Sequence, residues 1–131
     1  MELADLFDAM TSEGEAAKDF AFRSQLRRSG TKAPAQIAEG FLRFRPADFA
    51  NFLRMARASL GEAQTHLERG RRRSYWSEET VARARKLSDR ALGATTRLMN
   101  DRLAAAAAEQ QQPATLRQSG RRGAKSQDPE P

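Results

Sequence analysis

The chain has 131 residues, the length of a single domain, and carries 23 lysines and arginines against 17 acids, for a net charge of +6. It has no cysteine and one histidine, His66, which excludes disulfides, iron–sulfur clusters, thiolate nucleophiles and any histidine-pair metal site. No apolar run reaches the roughly 18 residues that a membrane span needs. The acidic opening Met1–Asp5 lacks the basic-then-apolar layout of a signal peptide, so a cytoplasmic protein is expected.

Charge is unevenly spread. Residues 1–19 sum to −5, residues 20–75 to +8 and residues 76–131 to +3. The cations are 19 arginines and only 4 lysines. A guanidinium can grip a phosphate with two hydrogen bonds where an ammonium is a point charge, although a GC-rich genome would give the same bias.

Strand signals are nearly absent, with no period-two alternation and no Asn-Gly or Asp-Gly turn. Leu3, Leu6, Phe7 and Met10 mark residues 2–11 as a short amphipathic piece. Asp19–Arg28 reads as a helix bearing Phe20, Phe22 and Leu26, interrupted or kinked at Gly30 and Pro34 and resuming over residues 35–42. From Pro46, a good first helical residue, Phe49, Phe52, Leu53, Ala56, Leu60, Ala63 and Leu67 draw one stripe down a helix ending near Gly70. Ser77 is a good N-cap, with Glu78 and Glu79 against the positive end of the dipole. That last helix carries Val81, Ala84, Ser88, Ala91, Leu92, Thr95, Leu98 and Met99 on one side, and the alanines 104–108 extend it to about Glu109. Residues 110–131 contain almost nothing apolar and read as a disordered basic tail with Arg117, Arg121, Arg122 and Lys125, a second candidate phosphate contact. The expected fold is all-α: a bundle over residues 1–109, then the tail.

Several segments share an order with one bacterial family. They are Gln25-Leu26-Arg27-Arg28-Ser29, Ala33-Pro34-Ala35-Gln36-Ile37-Ala38-Glu39-Gly40, Phe49-Ala50-Asn51-Phe52-Leu53, Ala58-Ser59-Leu60-Gly61-Glu62-Ala63 and Tyr75. Together, over about residues 20–105, the chain resembles the four-helix-bundle family of 23S rRNA intervening-sequence proteins, which includes accessory variability proteins of diversity-generating retroelements. The resemblance implies an up-and-down antiparallel four-helix bundle and a homopentameric barrel. For the retroelement branch it implies binding of a reverse transcriptase and nucleic acid through a basic surface. The family's serine before the proline and asparagine after it are here Ala33 and Gln36, and only about ten residues stand where a full first helix is usual. A short first helix is therefore expected, as is a reading frame opening upstream of Met1.

On a 100°-per-residue wheel Arg83, Lys86, Arg90 and Arg97 fall within about 60° of one another, opposite the apolar stripe of the last helix. They span roughly 21 Å, enough to meet several phosphates. Arg54 and Arg57 flank the preceding helix's stripe, and Arg71, Arg72 and Arg73 crowd the turn between the two. The bland alternative is a solvated face whose arginines pair with Glu79, Asp89 and Asp101. Phe20, Phe22, Phe41, Phe44, Phe49 and Phe52, at helical spacings, are expected in the core, with Tyr75 and Trp76 stapling the turn onto the bundle. Gly40 is expected to admit a close helix approach, Glu39 to bond a neighbouring helix or subunit, and His66 to pack at a boundary. No constellation builds a catalytic, metal or cofactor site: there is no Glu-x-x-His pair and no Gly-Lys-Ser/Thr loop. The expected function is thus non-enzymatic: an oligomeric bundle binding RNA or RNA/DNA, as an accessory factor of a reverse transcriptase or ribonucleoprotein. The competing reading is a scaffold that docks an acidic protein without binding nucleic acid.

Overall fold

The computed structural model describes residues 2–111. They form α1 (Glu2–Met10), α2 (Gly14–Lys18), α3 (Phe20–Phe41), α4 (Pro46–Arg72) and α5 (Glu78–Gln110), with no strand among them. α3, α4 and α5 run down, up and down, and α1 runs up beside α3 and α5 as the short fourth member of an antiparallel up-and-down bundle. Cross-helix bonds fix the register. Ser59 Oγ donates to Gln36 Oε1 (2.8 Å) between α4 and α3, and Gln64 Nε2 donates to Ser88 Oγ (2.9 Å) between α4 and α5.

The helices start and stop where local chemistry directs. Ser77 accepts from Thr80 N–H at the head of α5, Asp19 accepts from Phe22 N–H at the head of α3, and Pro46 opens α4. α2 was not legible in the sequence: it begins at Gly14, whose φ of +72° suits a residue without a side chain.

Gly30 and Pro34 do not interrupt α3, which is one 22-residue helix with Pro34 inside it. Pro34 removes one amide donor, yet the helix continues across the gap. Gly30 is required by an approach rather than by a break. A Cβ there would lie 2.6 Å from Cδ2 of Phe7, the residue that seats α1.

The main core joins Leu3, Phe7 and Met10 of α1 to Phe22 and Leu26 of α3, Leu60 and Leu67 of α4, and Ala84 of α5. A smaller cluster of Ala50, Leu53 and Met99 closes the opposite end, where α1 does not reach. The expectation for the phenylalanines is corrected at both ends of α3. Of the six expected in the core only Phe22 is fully buried; Phe49 and Phe52 are half-buried, and Phe20, Phe41 and Phe44 are 69%, 75% and 65% exposed. With no fourth helix over the α3–α4 turn, Phe41, Leu42 and Phe44 have nothing to pack beneath. Gly40 does admit close approach, since a Cβ there would lie 2.7 Å from Phe52 Cβ. Among the described residues no helix is long and apolar enough to cross a membrane. The proposed tail contacts Arg117, Arg121, Arg122 and Lys125 lie outside the described residues.

Candidate nucleic-acid interface

The apolar stripe of α5 turns Val81, Ala84, Ser88, Thr95 and Met99 inward, and the 3.6-residue period then turns Arg83, Lys86, Arg90 and Arg97 outward, all four exposed. They line two adjoining clefts of about 580 and 590 Å³ that share Lys86 and Arg90. None of the four is held in an ion pair among the described residues. Asp89, which lines the second cleft with Lys86, Arg90 and Arg97, accepts from Gln64 Nε2 at 2.6 Å, and Asp101 pairs with Arg102 at 2.7 Å.

The arginines of the α4–α5 turn behave differently. Glu68 receives two hydrogen bonds from Arg71, at 2.7 and 2.9 Å, and one from Arg72 at 3.2 Å, and Arg71 also faces Glu78 at 3.7 Å. Hydrogen bonding from Arg71, reinforced by Arg72, holds the Glu68 carboxyl down at about 2, and Glu68 in turn raises the Arg71 guanidinium. Arg73 pairs with Asp19 at 2.7 Å and lies 5.9 Å over the Phe22 ring. Tyr75 Oη donates to the same Asp19 carboxylate at 2.6 Å. That bond, the Phe22 amide and Arg73 keep Asp19 below the usual carboxylate range, while Asp19 pushes the Tyr75 phenol up. Trp76 Nε1–H donates to Met10 O at 2.7 Å, tying the turn to the end of α1. Tyr75 and Trp76 therefore staple the turn onto the bundle as expected, and the three arginines serve first to hold it together.

On α4, Arg57 is exposed and Arg54 donates to Asn51 Oδ1 at 2.9 Å. The Gln64–Ser88 register sets them about level with Thr95 and Leu98, toward the Arg97 end of the α5 face. Arg85, absent from the wheel-based set because it points 100° or more away, lines the cleft with Lys86 and Arg90 as well. Glu39 bonds Arg43, just past the end of α3, rather than a neighbouring helix. His66 is buried beside Phe22, ring centroids 6.5 Å apart, and neither ring nitrogen has a hydrogen-bond partner. Among the described residues no three His, Asp or Glu side chains gather to hold a metal ion.

The model of the 23S rRNA-intervening sequence protein family matches residues 1–95, most of the bundle. The chain belongs to that family. Its fold is shared with a crystal structure from Bacteroides thetaiotaomicron, a protein of unknown function from the S23 ribosomal protein family. The two are 24% identical with a TM-score of 0.57, over 80% of this chain and 88% of the other. No curated protein matches the sequence. In this member of the intervening-sequence family, the basic face of α5 is the densest set of unpaired cations that the described fold presents.

Proposed function

We propose that this intervening-sequence family protein is a non-enzymatic, self-associating bundle that binds nucleic acid, RNA or RNA/DNA, through the outward face of α5. It would work as an accessory factor of a ribonucleoprotein or reverse transcriptase. One observation carries the reading. Arg83, Lys86, Arg90 and Arg97 stay unpaired along one line while Arg71, Arg72 and Arg73 are internally neutralised. Unpaired cations spaced along a rod displace the small cations condensed on a phosphate backbone, which gives binding that is strong at low salt and indifferent to sequence.

Self-association is supported by the apolar surface left uncovered around the α3–α4 turn. Phe41, Leu42, Phe44 and Met55 are exposed there, with Leu98 and Leu103 on the length of α5 that α1 does not cover. A homopentamer, the assembly the resemblance implies, would repeat the basic face around one axis and multiply weak contacts into avidity. The same apolar surface favours the alternative, docking of an acidic protein partner.

The test is fluorescence anisotropy with a labelled 20-nucleotide RNA, with and without the four substitutions R83Q, K86Q, R90Q and R97Q, alongside light scattering for mass. Four phosphate contacts give a log–log salt slope near −3, so wild-type affinity should fall about 50- to 100-fold between 50 and 200 mM salt. The quadruple variant should lose most of that slope while keeping its helical content. Equal binding by the two proteins would overturn the interface. RNA-free protein that instead captures an acidic partner would favour the scaffold.

A further inference from the structure

The cleft between α1 and α5 sets acid against base. Glu2 and Asp5, both exposed on α1, line one wall, Arg83, Lys86 and Arg90 of α5 line the other, and Leu6 contributes to the apolar part of the lining. The most negative segment of the chain is thus folded beside one flank of its most available cations. Arg97, further down α5, lies beyond the reach of α1 and lines only the second cleft.

We infer that α1 is a tethered competitor for the α5 face, its two carboxylates occupying the field that an incoming phosphodiester backbone must take over. The inference rests on the reading of that face as the nucleic-acid interface. Carboxylate and phosphate compete for the same guanidinium donors, so Glu2 and Asp5 lower the affinity of Arg83, Lys86 and Arg90 for any polyanion and leave Arg97 as the least opposed contact. α1 is also suited to yield. Its nine residues fall short of the roughly 12–15 that an isolated helix needs, and it is seated by only three buried side chains, Leu3, Phe7 and Met10. Undocking α1 would remove the two carboxylates from the cleft at the cost of uncovering Phe22, Leu26, Leu60 and Leu67 of the main core. The protein would then bind weakly to sparse phosphates and more firmly to a polyanion dense enough to displace the helix.

The experiment compares E2Q/D5N with wild type on the labelled 20-nucleotide RNA across a salt series. E15Q/D48N makes the same change in net charge away from the cleft. E2Q/D5N should bind about fivefold more tightly at 50 mM salt, the gain shrinking as salt screens the exposed charges, and E15Q/D48N should gain less than twofold. The gain should vanish when E2Q/D5N is combined with R83Q, K86Q and R90Q. Equal gains for the two acid variants, a gain that survives loss of the three cations, or no gain at all would each overturn the competitor role. If the Gln variants of Arg83, Lys86, Arg90 and Arg97 still weaken binding in those cases, the interface itself stands. If wild type and the quadruple Gln variant bind alike, the interface falls and takes the competitor with it.

Discussion

Phe7→Ala tests the seating of α1 most directly. Phe7 is fully buried against Gly30 of α3, and α1 offers only Leu3 and Met10 beside it. Truncating a buried phenylalanine removes its transfer free energy and leaves a cavity, together about 3–5 kcal/mol. The remaining tether to the turn, the Trp76 Nε1–H bond to Met10 O, is worth about 0.5–1.5 kcal/mol and cannot offset that loss. Against a total stability of about 5–15 kcal/mol for a domain of this size, α1 should open ahead of the rest. Hydrogen exchange should show residues 2–10 losing protection while Leu53, Leu60 and Leu67 of α4 keep theirs. Denaturant titration should show a fall in the main transition of at least 2 kcal/mol, or a separate early step of that size. A loss below about 1 kcal/mol with α1 still protected would refute the seating.

Gly30→Ala should also destabilise, although alanine normally improves a helix interior by about 1 kcal/mol over glycine, because the new methyl meets the Phe7 ring. A rise in melting temperature would mean α1 does not lie against α3 at that point. Asp19, whose carboxyl is held below its ordinary 3.8 chiefly by the Tyr75 hydroxyl, contributes stability that is present above that value and is lost as pH falls through its lowered folded value. Tyr75, raised above 10.0 by Asp19, contributes below that value and loses its contribution as pH climbs through its raised one. Asp19→Asn should therefore flatten the acid limb of a stability–pH curve, and Tyr75→Phe the alkaline limb; thermal melts between pH 2 and pH 11 check both. Phe41→Ser combined with Phe44→Ser should reduce the mass found by light scattering toward one chain while leaving the circular dichroism intact, and an unchanged assembly would move the contact elsewhere.

Much of the fold was legible because helical signals are local. The stripe Leu53–Ala56–Leu60–Ala63–Leu67 needs only the 3.6 period to be seen, and Ser77 caps α5 through a hydroxyl three residues from the amide it accepts. The outward face of α5 was legible for the same reason, since a wheel places Arg83, Lys86, Arg90 and Arg97 without reference to any other helix. Pro34 does not interrupt α3, because the local loss of one amide donor leaves the rest of the helix ladder in place. The phenylalanines misled because spacing reveals which residues share a face, not whether another helix covers that face.

The sequence by itself determined that this chain is helical, where its long helices begin and end, and which side of each is apolar, because those depend on contacts within a turn or two. Only the tertiary structure decided which cations are free. Arg73 is consumed by Asp19, 54 positions away in the chain, and Glu68 is shared by Arg71 and Arg72. Likewise only the fold brings Glu2 and Asp5 beside Arg83, Lys86 and Arg90. Electrostatic pairing falls steeply with distance in space and is blind to distance along the chain, so no reading of residues in order could have assigned it.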